Sequence, residues 1–471
     1  MKRIFLLSLI FVVGFWGQIN AGEQQKPRVI VMTDGEVDDR CSMVRFLLST
    51  NEVELVAIIQ TNSFFQQNGW SSVKWLDEQI DAYEMVYPNL VVHDSCFPTA
   101  DIIRSKVYVG DEDSLHLVVS NNFAPRVPGT EPVIDPSGWA DTKGSDKIVE
   151  VLLEEDPRPV YIQAWGGGNT AARAFFKLKS QYPDDYARAI SKVVMYNIWY
   201  QDGAGNYIEK YHPGVKMLVS RYFNGTWDYG SMAFTHTFVL NDVKNNHGPL
   251  GALYAQDYIS EGDSPAFLFT LGNGLRGFED PTWGSWGGRF YKMEGSENVY
   301  RDIDKGSYLR WIEYANRDFK TKLDWCVAEK FSEANHRPVI RVAGDLNRTV
   351  SSGEHVVLEA SVSDPDDPNI DKLWSQYAVL YAQAGLTKDD FINNVKNWPK
   401  TKSSWWQYKD AGTYDKMIKI KSMADSKAEF VAPVVDTPQT IHIILEVKDN
   451  GAPALTSFAR FVINVLPQVK E

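Results

Sequence analysis

Four carboxylates within six residues, Asp34, Glu36, Asp38 and Asp39, follow the apolar run 29–32 in the stretch VIVMTDGEVDDRCSMVRFLL. The apolar run reads as a buried strand, and the pattern after it as an amphipathic helix. A buried strand here delivers concentrated negative charge to one point. Like charges at short range raise one another's pKa, so such a group needs a compensating feature. Three are open: full solvation, the macrodipole of a following helix N-terminus, or a bound cation. Among cations Ca²⁺ suits the pattern, because it takes about 6–8 oxygen ligands and tolerates irregular geometry.

The elements that must position these acids are legible around them. VELVAIIQT reads as a second strand and SVKWLDEQIDAYEMVY as a helix. GSDKIVEVLLEED is a helix with Ser145 as its expected N-cap. RPVYIQAW is a strand, followed by the turn GGGNT and the helix AARAFFKLKSQY, and KVVMYNIW is a further strand. Strands alternating with helices predict an α/β domain over 27–330, a mostly parallel sheet flanked by helices. Ligands bind such sheets at the carboxyl ends of the strands. After NHRPVI the character changes to short alternating strands between Asp, Gly and Pro turns. That pattern predicts an all-β sandwich over 332–471, with a partly helical insertion at about 378–404.

The bulk numbers narrow the function. The sequence has 471 residues and a net charge of −13, which disfavours nucleic acid and anionic lipid and suits a neutral substrate or a cation. Aromatics are 13% of the chain, with 15 Trp, and core burial accounts for most of them. Residues 1–21 have a basic start, an apolar stretch and small residues up to Ala21, the pattern of an export signal. The expected location is secreted or periplasmic, with no membrane span and no lipid-anchor cysteine. Cys41, Cys96 and Cys326 have no metal-type spacing, and their odd number argues against a disulfide framework, though one bridge is open.

The opening stretch resembles the N-terminal signature of the nucleoside hydrolase superfamily, Asp-x-Asp-x-Gly-x-Asp-Asp. The resemblance implies that Asp34 is general base and calcium ligand, that Asp38 holds sugar hydroxyls, and that Asp39 binds calcium. Met32 stands at the first Asp of the signature and Glu36 at its glycine, with Gly35 just before. VYIQAWGGGNTAARAF resembles the family's strand with a Gly-rich turn, which implies a calcium-binding carbonyl at Trp165. EGDSPAFL resembles the late segment that completes the shell, which implies Asp263. More narrowly, GEVDDRCSMVRFLLSTNE, WGGGNT, YQDGAGNYIEKYHP, HGPLGALY, EGDSPAFL and DPTWGSWGGRF are similar to a branch of secreted bacterial proteins described as cellulose-binding. That branch has a nucleoside hydrolase-like domain and a C-terminal Ig-like domain; NHRPVI, SVSDPDDP, YKDAGTY and the final 440–465 stretch match the latter.

Two functions follow from this resemblance. One is a calcium-dependent hydrolase of an N- or O-glycosidic bond in a small, furanosyl-type substrate, with Asp34 activating a water. The other is a non-catalytic protein that binds a saccharide or a cellulose-like polysaccharide. Asn169, Gln201 and Asp202 are candidates for substrate contact. Trp165, Trp199, Tyr200, Trp283 and Trp286 are candidates for a stacking wall, Trp283 and Trp286 foremost, though the DPTWGSWGGRF loop that carries those two reads equally as a packed lid on the domain's edge. His93, His212 and His247 are candidates for a proton donor, and Glu36 for an extra ligand or acid. The SDPDDPNID loop reads as a turn, with a second calcium site as the other option.

Overall fold

The computed structural model describes residues 25–117, 134–227, 233–367, 370–395, 401–424 and 426–468. The expected export signal, 1–21, lies outside them. The first domain is built on an eight-stranded sheet of β1 (Arg28–Thr33), β2 (Glu54–Gln60), β3 (Val107–Val109), β4 (Val160–Ala164), β5 (Val193–Ile198), β6 (Lys216–Ser220), β7 (Phe290–Lys292) and β8 (Val299–Asp302). Their order is β3-β2-β1-β4-β5-β6-β8-β7. Every pairing is parallel except β7 with β8. Parallel strands need covered faces, and β1 is buried along its whole length. Val29 and Val31 enter one apolar cluster and Ile30 and Met32 the other, so alternate residues of β1 feed the two faces of the sheet.

The helix after β1 runs Val37–Leu47, where the apolar spacing placed it. The helix Lys143–Leu153 is capped by Thr142 rather than Ser145. Ser145 sits at the third helical position instead, and its hydroxyl returns to the Thr142 N–H at 2.9 Å, a reciprocal capping box. Four strands, β3, β6, β7 and β8, go beyond the elements read from sequence. All three cysteines are free. No helix among the described residues is long and apolar enough to cross a membrane.

The C-terminal domain is a sandwich of two four-stranded sheets. One orders β10 (Asn347–Ser351), β16 (Thr456–Leu466), β15 (Gln439–Lys448) and β12 (Lys402–Gln407). The other orders β13 (Lys421–Ala424), β14 (Lys427–Val431), β11 (His355–Ser363) and β9 (Val339–Val342). Leu358 and Phe430 of the second sheet meet Ile443, Leu445, Phe461 and Ile463 of the first in one apolar cluster. The insertion between β11 and β12 holds the helices Ile370–Gln383 and Lys388–Val395, so it begins earlier than residue 378.

The two domains share a core. Trp311 lies edge-on to Phe458 at 5.5 Å and to Tyr408 at 6.0 Å, and Tyr314 packs on Phe458 at 5.3 Å. The backbone joins as well: Phe458 N–H donates to the Asn273 carbonyl at 3.3 Å and Arg460 N–H to that of Gly274 at 3.2 Å. Gly274 has φ +85°, and a methyl there would lie 1.7 Å from the Phe458 carbonyl oxygen, so only glycine allows this approach.

Candidate active site

The carboxylates sit where β1 ends. Asp34 follows its last residue, and Asp38 and Asp39 fall in the first turn of the helix Val37–Leu47. The turn between them passes through Gly35 at φ +74°. A side chain at Gly35 would be strained and would also meet the Trp75 indole nitrogen at 2.8 Å. Asp39 is fixed from the strand: its Oδ1 accepts the Thr33 hydroxyl at 2.5 Å and the Asp34 N–H at 3.1 Å. Asp34 Oδ1 accepts the Glu36 N–H at 3.1 Å, and its other oxygen, Oδ2, abuts Gly166.

A helix N-terminus alone is a poor account of these acids, because such acids are normally solvated. Asp34 and Asp39 are each 2% exposed and Asp38 7%. Asp263, over two hundred residues later, joins them at 1% exposure. One oxygen from each of Asp38, Asp39 and Asp263 lies within 4.8 Å of the others. A cation of calcium's size, with bonds of about 2.3–2.6 Å, fits between oxygens that far apart. Asp34 Oδ2 and Asp263 Oδ2 are buried without a hydrogen-bond partner. Among the described residues no cationic side chain pairs with Asp34, Asp39 or Asp263. The neighbouring Glu261 shows the contrast: Arg45 Nε meets its Oε2 at 2.6 Å. Burial first, then Asp34 and Asp38, holds Asp39 well above the usual carboxylate range. Burial and the charges of Asp39, Asp38 and Asp34 do the same to Asp263. Burial, with Asp38 and Asp34, pushes Glu36 to about 7. The donor set is all-oxygen, and Asp34, Asp39 and Asp263 are buried with no cationic partner among the described residues, the chemistry of a hard-cation site. Asp34, Asp38, Asp39 and Asp263 are the residues able to hold such an ion.

The glycines read from sequence as a Gly-rich turn carry a packing role. A methyl on Gly166 would lie 2.7 Å from the Asp34 carboxylate, and one on Gly262 would lie 2.6 Å from Asp38 Oδ2. The Trp165 carbonyl accepts the Gln201 side-chain amide at 2.5 Å. A carbonyl oxygen has two lone pairs, so this bond orients it and leaves one for a cation.

The other expected contacts divide. Asp202 is a structural brace: its Oδ2 accepts the N–H groups of Gly168 and Asn169 at 2.6 and 3.0 Å, and its Oδ1 that of Ala204 at 2.9 Å. Asn169 is fully buried, with its amide on the His116 carbonyl at 3.1 Å and its Oδ1 without a partner. Trp165 and Trp286 are no stacking wall, since they are 0% and 1% exposed and packed in the core. Trp283 faces the C-terminal domain: its ring is edge-on to His442 at 5.2 Å, and its carbonyl accepts Arg460 Nη1 at 2.7 Å. Of the two readings of this loop the structure has the packed one, and composition could not separate them because an aromatic, glycine-rich loop looks alike whether it meets sugar or protein. Replacing Trp283 by Ala is expected to leave saccharide affinity within twofold and to lower stability by about 2–4 kcal/mol, measured by titration calorimetry and denaturant unfolding.

The three histidines are also structural. His212 bonds the Tyr186 hydroxyl at 2.8 Å, His247 bonds Asp324 at 3.1 Å, and His93 lies between His336 and the Ala328 carbonyl. His116 was not singled out, although it sits at the sheet's carboxyl edge. Its Nδ1 is 2.8 Å from Asp111 Oδ2 and its ring stacks on Trp139 at 4.1 Å. Asn62, just beyond β2, was missed too; its carbonyl accepts the Gly167 N–H at 3.1 Å. The signal for both was position, since each follows a strand of the parallel sheet.

A parallel sheet bearing a carboxylate basin at its carboxyl edge defines a nucleoside hydrolase-like domain. Residues 28–290 match the family model described as cellulose-binding Sde182, nucleoside hydrolase-like domain, and residues 399–465 match that of the cellulose-binding protein Sde0182 C-terminal domain. The chain belongs to the Sde182 cellulose-binding family. A solved nucleoside hydrolase-related hypothetical protein from Saccharophagus degradans, associated with carbohydrate metabolism, is 29% identical over 94% of this chain and 100% of that one, with a TM-score of 0.75. A plant nucleoside hydrolase, PpNRh1, aligns at 13% identity over 64% of this chain and 99% of that one, with a TM-score of 0.36. No curated protein matches the sequence.

Proposed function

We propose that this protein is an exported, calcium-dependent hydrolase of a glycosidic bond in a small saccharide-type substrate. The observation that carries this reading is the convergence of Asp38, Asp39 and Asp263 within 4.8 Å beside Asp34, whose Oδ2 has no partner. Calcium, when bound, would supply a site for sugar hydroxyls and a positive field that keeps the carboxylates ionised. Asp34 accepts a proton at Oδ2 from a water as that water's oxygen bonds to the anomeric carbon and the leaving group departs with the bonding pair. The Glu36 N–H and the close-packed Gly166 hold Asp34 in one orientation, which limits the reorganisation that proton transfer requires. Asp38 accepts hydrogen bonds from sugar hydroxyls. The transition state resembles an oxocarbenium ion, which the surrounding carboxylates favour electrostatically.

A second reading, a polysaccharide-binding protein without turnover, is favoured by the family's cellulose-binding description and by Met32. That residue stands where the hydrolase signature has its first Asp, and it is buried in an apolar cluster. Sugar release decides between the two. The purified protein is incubated with nucleosides, pentofuranosides and plant-wall oligosaccharides, with calcium and after exhaustive chelation. Release that chelation stops supports the hydrolase. Release that survives chelation rules out the calcium mechanism. Silence from protein shown to hold calcium favours the binding reading, which retention on insoluble polysaccharide then tests.

A further inference from the structure

A second cavity, of about 410 Å³, opens at the same carboxyl edge of the sheet and is lined by Trp199, Arg221, Tyr222, Tyr291, Arg301 and Lys305 among others. Trp199 follows β5, Arg221 follows β6, and Arg301 is in β8, so the parallel topology brings these residues together. It adjoins the carboxylate basin. A methyl on Gly262 would lie 2.6 Å from Asp38 Oδ2 and 3.4 Å from the Phe223 ring, and Phe223 packs edge-on to Trp199 at 6.2 Å. Phe223 thus packs both against Trp199 of this cavity and beside the glycine that abuts Asp38.

The charge of this cavity runs against the rest of the molecule. Three cationic side chains line it in a protein of net charge −13. Among the described residues none of the three pairs with a carboxylate, whereas Arg28, Arg45, Arg104, Arg158 and Arg173 all do. Arg301 Nε is buried without a hydrogen-bond partner. The one acid in the lining, Asp302, is tied through one oxygen: its Oδ2 accepts the N–H groups of Arg221 and Tyr222 at 2.7 and 2.6 Å and the Tyr308 hydroxyl at 2.9 Å, while its Oδ1 is buried without a hydrogen-bond partner, leaving three cations against one acid in the lining. Asp302 is 3% exposed, and those bonds fix the loop that carries Arg221. Arg221 also lies over the Trp199 ring at 5.8 Å. Trp199 itself has φ +61°, a left-handed conformation that is costly for a bulky residue and persists only where surrounding structure enforces it. Unpaired cations cost free energy unless solvent or an anion compensates them, and guanidinium groups match carboxylate and phosphate geometry. The flanking Trp and Tyr rings add flat apolar faces of the kind that sugar rings cover.

We propose that this cavity is an anion subsite, and that the saccharide engaged at the neighbouring basin carries a carboxylate or phosphate group that it holds. The inference rests on reading the basin as a saccharide site, and it revises the expectation of a neutral substrate drawn from net charge. Arg221, Arg301 and Lys305 neutralise the anion, and Trp199 packs on the ring that bears it. Charge-assisted contacts made in a partly enclosed cavity discriminate a charged sugar from its neutral counterpart, and salt weakens them.

Titration calorimetry with the calcium-loaded protein tests this, using a galacturonate trisaccharide, galactose 6-phosphate and the uncharged galactose counterparts. The charged ligands are expected to bind at least tenfold more tightly than the neutral ones. Whichever charged ligand binds more tightly identifies carboxylate or phosphate as the anion. Arg301→Gln and the exposed Lys305→Gln are each expected to weaken charged ligands about fivefold or more and to leave neutral ones unchanged, and Arg301→Lys to recover part of the loss. Lys305→Gln keeps the test valid where an Arg301 variant misfolds. Equal affinity for charged and neutral sugars, or charged-sugar affinity unmoved in Lys305→Gln, overturns the proposal. Repeating the titration with Asp34→Asn separates it from the hydrolase reading: turnover can be absent while the preference for anionic sugar stands, and the reverse.

Discussion

Asp34→Asn protein is expected to keep its fold and to lose at least about a thousandfold in kcat, at the upper part of the range for a positioned general base. The substitution is nearly isosteric. The side-chain oxygen of Asn can still accept the Glu36 N–H now bonded to Asp34 Oδ1 at 3.1 Å. What it cannot do is take a proton, and it removes one of the negative oxygens proposed to hold the cation. The wild-type Oδ2 is buried and unpartnered, so without calcium the variant should be at least as stable as wild type. Asp39→Asn separates the two roles. Asp39 is locked to Thr33 and belongs to the oxygen triad, so its loss should appear first as weaker calcium binding and only through that as lower turnover. Steady-state kinetics at saturating calcium, with thermal unfolding beside them, check both. Turnover by Asp34→Asn within tenfold of wild type would sink the assignment of the base.

The second large effect is on stability, and it reverses sign with calcium. In the metal-free protein Asp39 and Asp263 hold their protons well above the usual carboxylate range, and burial pushes Asp202 to about 6 and Glu36 to about 7. The unfolded chain releases those protons near pH 4. Between pH 4 and about 7 the folded state therefore binds more protons than the unfolded state, and stability falls as pH rises. Calcium needs the ionised carboxylates, so its affinity climbs through the same window as protons are displaced. A hundredfold excess over Kd adds about 2.7 kcal/mol. Thermal unfolding with calcium and with chelator should thus differ little at pH 4.5 and most at pH 7.5. A difference that is flat across this range, or largest in acid, would show that the basin does not bind calcium through these acids.

The sequence carried the architecture better than the site's outer parts, for physical reasons. Residues 29–32 are apolar on both faces, which only a covered parallel strand requires, so the sheet and its carboxyl-edge site could be read directly. Asp34, Asp38 and Asp39 are close in sequence, so one strand-to-helix turn suffices to gather them. Asp263 joins them through tertiary structure alone, and only the resemblance pointed to it. Asp202 is on the expected loop, where its carboxylate caps backbone N–H groups. A buried acid that caps three backbone N–H groups looks, in sequence, like one that meets a ligand. The Trp283 loop stayed open between stacking and packing, because the partner that covers it lies in another domain. The cationic cavity was invisible because its members are spread over three strand ends and diluted by the acidic bulk.

The core shared between the domains has a consequence for how this protein can be inherited. Trp311 and Tyr314 on one side and Tyr408 and Phe458 on the other meet ring to ring, and Gly274 admits the backbone of β16 against it. A gene cut near codon 335 would give two products, each displaying a broad aromatic face to water. Neither half is then a free module that recombination can trade. The shared rings tie the stability of the sandwich to that of the basin's domain, whatever the sandwich does with polysaccharide.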